Sequence, residues 1–385
     1  MQLPFDSFDT GEAPSVRPIR VLHCIPTLAV GGAETQLRLL APRLAARGIS
    51  VAIFSRFADG DVKALTTDGV TCFPLNSTSN YDPSIIFALH GAVRRFRPAI
   101  IQTWLTQMDI VGGVAARAFG IPWIISERSS PPGYPPILKN KLRQWLGRRA
   151  TICANAQHGL DVWPRNADRD VISNGIDLAA VAAVSQSIHA HAGSLRDTVD
   201  VITVSRLAPE KCVDVLIAAI ALARSHVPNI RLVVVGDGPE RGGLEALAAE
   251  NDLADHVVFT GFQSSPIEWM RSAHMFASAS RFEGHPNAVT EAAAAGIPTI
   301  LSDIVMHRTL MGNAARYAAP HDASSFANHF IDLSKNYESR NAIAKAARQA
   351  VGRFDIDAIT SRYIELYQRL TLSAAFETEH SGSLK

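Results

Sequence analysis

Apolar residues fall along this chain in short runs, and between the runs they recur every three or four positions. From residue 19 the run IRVLHCIP leads into GGAETQLRLLAPRLAARG, where leucine and alanine share one helical face and Gly48 closes the segment. SVAIFSRF is the next run. AIIQTW, the helical QMDIVGGVAARAFG and PWIISE repeat the alternation. Runs without polar alternation are strands buried on both faces, and strand-helix-strand repetition predicts a parallel sheet with helices on both sides. Residues 174–200, SNGIDLAAVAAVSQSIHAHAGSLRDTVD with its flanks, carry a turn signal and small residues but no strand pattern. They read as a connection between domains. A second series follows, with runs VDVITVS, IRLVVVGDG, VVFTGF, MFASAS and IPTILSD interleaved with helices such as CVDVLIAAIALARSH and RGGLEALAAENDL. The predicted class is α/β, two doubly wound domains facing a cleft, spanning residues 19–185 and 186–355. Residues 356–372, most of DIDAITSRYIELYQRL, form a last helix expected to pack back on the first domain. Residues 1–18 and 373–385 are expected to be disordered.

Composition narrows the function. With 385 residues, 47% hydrophobic and 19% charged, the chain can bury two cores, and a net charge of +1 leaves no global field for nucleic acid. Any anion site must be local. Cys24, Cys72, Cys153 and Cys212 are scattered singly and read as reduced structural thiols of a cytosolic protein. The opening is acidic, with neither a basic start nor an apolar run, so it is not expected to be a signal peptide, and no stretch is apolar enough to span a bilayer. ILKNKLRQWLGRRATI sets Lys139, Lys141, Arg143, Arg148 and Arg149 among Leu138, Leu142, Trp145 and Leu146 at helical spacing. Such a helix either packs its apolar side on its own sheet, the plainer reading, or makes peripheral contact with a membrane surface.

Open parallel sheets hold ligands beyond the carboxyl ends of their strands, where helix amino termini attract anions. Four loops have suitable chemistry. GGAE offers Gly31 and Gly32, which let a ligand approach the backbone, although an ordinary βα turn has the same look. SRLAPEK sets Arg206 and Lys211 near one strand end, a fork and a point charge suited to phosphate, or else a solvated basic pair. VVVGDGPER supplies Gly236 and Gly238 but not the third glycine and later acid of a dinucleotide fingerprint, which argues against an NAD enzyme. In SRFEGHPNAVTEAAAAGIPTI, Asn287 reads as the N-cap of a helix approached by Pro286 and closed by Gly296 and Pro298, with the amides of Ala288 and Val289 at its positive end. Glu291, in the predicted first turn, would complement the helix dipole whatever else it does. Glu283, beside Gly284 at a strand end, has no such local reason and is expected to face the cleft. His285 reads as a solvent-facing turn residue, with a substrate contact as the alternative. Carboxylates accept hydrogen bonds from sugar hydroxyls, so a carboxylate pair beside a phosphate-binding helix end suits a nucleotide-sugar.

EGHPNAVTE resembles the Glu-x7-Glu signature of the family 4 retaining glycosyltransferases. GGAETQLRLLAPRLAARG, SNGID, SRLAPEK, VVVGDGPERGGLEALA, FTGFQ and EAAAAGIPTILSD fall in that family's order from about residue 19 to 370, and IISERS and MHRTLMGNAARY look most like members that build capsular, exopolysaccharide or lipopolysaccharide chains. The resemblance implies the GT-B fold, two Rossmann-like domains facing a cleft. It further implies a retaining enzyme that moves a hexose-type sugar from a UDP- or GDP-linked donor to a saccharide or lipid-linked acceptor, in the cytoplasm or at the inner face of the cell membrane. On that basis Arg206 and Lys211 neutralise the donor diphosphate, Glu283 holds the donor sugar and Glu291 the ribose. The backbone at Gly284, His285, Asn287 and Ala288 cradles the distal phosphate, Gly31 and Gly32 close over it, and Gly236 lines the donor site. Attack on the same face as departure, with the leaving phosphate taking the acceptor's proton, would make Glu283 a positioning group. No cofactor and no catalytic metal is implied, and Asp59–Asp61 and Asp355–Asp357, which mimic an Asp-x-Asp metal motif, read as caps or solvated acids.

The chain also departs from the family pattern. Where many members carry a histidine it has Ser126, Glu127 and Arg128, which makes Arg128 the candidate sugar contact. Cys212 replaces the usual glycine after Lys211, a change expected to stiffen that loop. Two rival readings are a nucleotide-sugar 2-epimerase, which needs no acceptor, and a non-catalytic nucleotide-sugar-binding subunit.

Overall fold

The computed structural model describes residues 18–29, 31–57, 62–77, 79, 82–128, 137–164, 167–184 and 198–382. Seven strands build the first sheet: β1 (Arg20–Ile25), β2 (Ser50–Ser55), β3 (Thr71–Pro74), β4 (Ile100–Trp104), β5 (Trp123–Glu127), β6 (Thr151–Ala154) and β7 (Asp168–Val171). Six build the second: β8 (Val199–Val204), β9 (Ile230–Val235), β10 (Val257–Gly261), β11 (Met275–Ser278), β12 (Thr299–Ser302) and β13 (Arg316–Ala318). The strand orders are β3-β2-β1-β4-β5-β6-β7 and β10-β9-β8-β11-β12-β13, with every pairing parallel. The sequence order of the strands across each sheet therefore reverses once, between β1 and β4 and between β8 and β11. Crevices for ligands open at such points.

The continuous apolar runs are explained by cover on both faces. All five residues of β4 are buried, and five of the six of β1. On one side of the first sheet Leu22, Phe54, Ile101 and Ile125 pack under the helices Ser84–Phe96, Leu105–Phe119 and Leu138–Leu146. On the other, Val21, Ile53 and Ile124 pack against the helix Gly32–Ala46 and the chain's last helix, Ile356–Gly382, which inserts Ile359, Tyr363, Leu366 and Tyr367. The two passages between domains run together. Ile176 donates to the Phe354 carbonyl and accepts from Ile356 N–H, each at 2.9 Å, in a parallel bridge.

Several expectations are corrected. The tail beyond Leu372 continues as helix to Gly382. The connection after Asn174 includes a helix, Leu178–Ala183, capped by the Asp177 carboxylate on Ala180 N–H at 2.8 Å. The Leu138–Leu146 helix lays only Leu146 of its named apolar residues on the sheet: Asn140 and Arg143 are buried beside it, whereas Leu138, Leu142 and Trp145 face outward. Residues 1–17, 59–61 and 185–197, to which parts of the sequence reading refer, lie outside the described residues. Asp355 does act as a cap, accepting from Asp357 N–H at 2.9 Å.

Candidate active site

The loops that leave β1, β8 and β11 bring the candidate residues to the two reversal points. After β8 the chain makes a short 3-10 turn, Pro209–Lys211, and passes through Cys212 in the left-handed region (φ 50) before the helix Val213–Ala223. This turn aims Lys211 at the loop after β11, where Nζ meets Glu283 Oε1 at 2.6 Å. Ser280 Oγ donates to the same carboxylate oxygen at 2.7 Å. The two side chains are only 21% and 13% exposed, so Glu283 is not the open cleft acid expected from sequence but half of a largely enclosed ion pair. Arg206 is exposed, its guanidinium turned to Glu210 at 3.0 Å. A negatively charged ligand would compete with Glu210 for that fork.

The helix of the signature begins one residue earlier than expected. It spans Asn287–Ala294, the cap position falls on Pro286, and no side chain caps it. Val289 N–H bonds to the Pro286 carbonyl at 3.1 Å, which leaves the amides of Asn287 and Ala288 without partners among the described residues. Instead of capping, Asn287 reaches the other domain and accepts a bond from Asn174 Nδ2 at 2.8 Å. Glu291 then stands a full turn in, where the helix-end argument weakens because the dipole's effect is confined to the first turn. Its rim meets solvent, yet burial pushes its carboxyl up to about 7, and no hydrogen-bond or ion-pair partner holds it among the described residues. His285 is buried and sets its ring edge-on to Phe354 at 5.4 Å. Burial, with Arg128 nearby, lowers it to about 3, so it stays neutral, and the solvent-facing reading is wrong.

The glycines divide by role. A Cβ on Gly32 would come within 3.3 Å of Asn287 Nδ2, so the first domain's loop closes directly over the signature helix. A Cβ on Gly31 would strike the Glu34 carboxylate. Gly236, at φ 134, packs so closely on the Ser205 carbonyl that a Cβ would lie 1.9 Å from its oxygen, and its own N–H is taken by the Gly261 carbonyl at 2.9 Å. Gly236 thus seats β9 beside the loop after β8 without offering a free amide. Gly284 is partly buried between Glu283 and His285.

Arg128 leaves the end of β5 and lies over Trp104 at 4.4 Å from its ring centre. It donates to Asn174 Oδ1 at 2.7 Å and to the Tyr363 hydroxyl. The last helix, the first sheet, the hinge and the signature are thereby joined in one chain of bonds: Tyr363, Arg128, Asn174, Asn287. One further contact ties the domains, His158 Nε2 donating to the Glu283 carbonyl at 2.9 Å, while Gln36 bonds both ways with the Gly175 backbone and so fixes the start of the passage to the first domain. Sequence reasoning singled out neither Asn174, His158 nor Ser280. SNGID was a visible motif, but nothing local says that its asparagine bridges two domains. Among the described residues, no cluster of three or more histidines, cysteines or acids could hold a metal ion.

Two doubly wound domains whose reversal points meet across a bridged cleft, with an amino-terminal helix turn and a lysine at its wall, define a GT-B transferase. A profile described as "Glycosyl transferases group 1" matches residues 185–350, and one described as "Glycosyltransferase Family 4" matches residues 30–180. The chain belongs to these glycosyltransferases. A D-inositol 3-phosphate glycosyltransferase of Thermomonospora curvata is 25% identical over 388 residues, 88% of this chain and 90% of that protein. The lipopolysaccharide core biosynthesis glycosyltransferase LpsD of Rhizobium meliloti is 26% identical, over 73% of this chain and 78% of its own. Several other curated relatives match over shorter stretches, down to 18% of the relative's length. Among solved structures, Anabaena HepE in complex with UDP-glucose superposes with a TM-score of 0.77 at 20% identity, covering 91% of this chain and all of that one, a likeness of fold.

Proposed function

We propose that this cleft transfers a hexose-type sugar from a UDP- or GDP-linked donor to a saccharide or lipid-linked acceptor of cell-surface polysaccharide synthesis, with retention at the anomeric carbon and without a metal. The observation that carries the reading is the Lys211–Glu283 pair at 2.6 Å, set beside a helix end with two unpartnered amides. In this reading the bond between the sugar and the diphosphate breaks first. Lys211, Arg206 and the amides of Asn287 and Ala288 meet the charge that develops on the leaving phosphate, the kind of aimed electrostatics that lowers such barriers most. Glu283, already anchored by Lys211 and Ser280, accepts from sugar hydroxyls, and Glu291 from the ribose. The acceptor hydroxyl attacks the face the diphosphate leaves, and its proton passes to a leaving phosphate oxygen. Relatives named for lipopolysaccharide core biosynthesis and a fold neighbour crystallised with UDP-glucose support the donor and acceptor classes.

The test is a thermal-shift panel of nucleoside diphosphates with and without EDTA, followed by transfer from the matching nucleotide-sugar to saccharide acceptors, with the anomeric configuration of the product read by NMR. An EDTA-insensitive shift with UDP or GDP and a product of unchanged configuration are expected. Conversion of donor without any acceptor would point to an epimerase. Binding without turnover, unaltered in Lys211→Ala, would point to a non-catalytic subunit.

A further inference from the structure

The Leu138–Leu146 helix is turned inside out for a helix in water. Its inward side is pinned by Arg143, 2% exposed, whose Nε meets Asp109 at 2.6 Å and whose Nη1 meets Glu127 at 2.9 Å, with the guanidinium over Trp163 at 4.6 Å. Burying a cation is expensive even when it is paired, while the same helix holds Leu138, Leu142 and Trp145 one above the other at 83%, 41% and 57% exposure. Turning those three inward would remove the buried charge and cover apolar surface, yet the chain does the reverse.

The neighbouring helices on the same side of the sheet extend the pattern. Ser84–Phe96 exposes Ile86 and Phe87, and Leu105–Phe119 exposes Val114. Charge within these helices and their immediate connections is one-signed. Residues 84–119 and 137–150 contain nine lysines or arginines and a single acid, Asp109, which is buried against Arg143, in a chain whose net charge is +1. Arg94, Arg95, Arg97, Arg117, Lys139, Lys141, Arg148 and Arg149 are exposed, and among the described residues none of them pairs with a carboxylate. Apolar side chains fringed by unpaired cations match a surface that is anionic at its edge and apolar beneath.

We propose that the outer side of these three helices docks on the surface of a bilayer that carries anionic headgroups, with Leu138, Leu142 and Trp145 entering the interface and the surrounding lysines and arginines meeting lipid phosphates. No helix among the described residues is long and apolar enough to cross a membrane, so the contact is peripheral. It stands independently of the donor reading, since it uses no residue of the cleft.

Flotation of the full chain with vesicles of phosphatidylcholine alone, and of phosphatidylcholine mixed with phosphatidylglycerol, tests it. Wild type is expected to float with the mixed vesicles only. The pairs Leu142→Glu/Trp145→Glu and Lys139→Glu/Lys141→Glu should each weaken that binding by about tenfold or more, with circular dichroism and melting temperature unchanged because all four residues are exposed. Leu142→Ser serves as a milder variant if the first pair misfolds. Failure of wild type to bind mixed vesicles, or binding that both pairs leave intact, would overturn the proposal. So would a wild-type dimer that Leu142→Glu dissociates, since the surface would then join two copies of the chain.

Discussion

Lys211 and Glu283 hold each other so closely that removing one strands the other in a largely enclosed site. Lys211→Ala should lower transfer by about 10²–10³-fold, the loss seen when one aimed group that meets developing charge is deleted. It should also lower the melting temperature more than the double variant Lys211→Met/Glu283→Gln does, because the double change leaves no uncompensated charge. Activity near normal in Lys211→Ala and Glu283→Ala alike would remove both from the site. Glu291 makes a second prediction, in pH. Its carboxyl, raised to about 7 by burial, is the better acceptor when ionised, so nucleotide affinity should rise as pH passes from 6 to 8 and stay flat in Glu291→Gln. Stability runs the other way: with the folded value above the unfolded one, Glu291's contribution is complete below the ordinary glutamate value near 4.5 and is lost as pH rises through 7. Melting curves of wild type and Glu291→Gln across that window check the sign.

At the scale of elements, the loops are seated by glycines and by one residue that is not glycine. Gly236 ends β9 at φ 134 against the backbone of Ser205, and neither partner can move aside. Gly236→Ala should therefore destabilise the second domain by more than about 2 kcal/mol and displace the turn that carries Lys211, which a thermal melt and a nucleotide titration would both report. A melting temperature equal to wild type would show that the loop has slack the packing does not reveal. Cys212 adopts the left-handed conformation usually left to glycine, beside a buried thiol contact to Arg281 at 3.3 Å, so the stiffening expected from its replacing glycine has a visible anchor. Much of this was legible beforehand. The strands β1, β4, β8 and β9 announce themselves as mostly apolar runs without polar alternation. β3, β7 and β13 went unread because they are short and partly exposed, and β6 because its four residues follow directly on the basic end of the preceding helix, while the Ser84–Phe96 helix went unread although Asp82, which accepts from Ser84 N–H at 2.9 Å, marks its start.

For the whole molecule, the decisive residue is Asn174. It sits where the first passage leaves the first domain, accepts from Arg128 and donates to Asn287, so it couples the first sheet, the last helix and the signature across the cleft. Asn174→Ala leaves both neighbours short of a partner and should cost about 1–3 kcal/mol. Asn174→Asp is the sharper probe: it keeps an acceptor for Arg128 and loses only the donor to Asn287. Its melting temperature should stay close to wild type while transfer falls by about tenfold and X-ray scattering shows a wider average separation of the domains. Unchanged transfer and scattering would mean that Gln36, His158 and the hinge bridge suffice to hold the cleft.

The amino-acid sequence alone determined most of the alternation of strands and helices and the division into two βα series, because each of these is written in a window of ten or twenty residues as a period, a glycine or a cap. It also carried the signature on which the resemblance rests. Only the tertiary structure decided what those residues do to one another. Lys211 and Glu283 are 72 positions apart, Asn174 and Asn287 113, and no local pattern specifies that they touch. The same holds for burial. His285 lies inside because Phe354 comes back over it, and Leu138, Leu142 and Trp145 lie outside because Asp109 and Glu127 claim Arg143. A helical period says which side chains share a face, while which face turns inward depends on partners that distant parts of the chain supply.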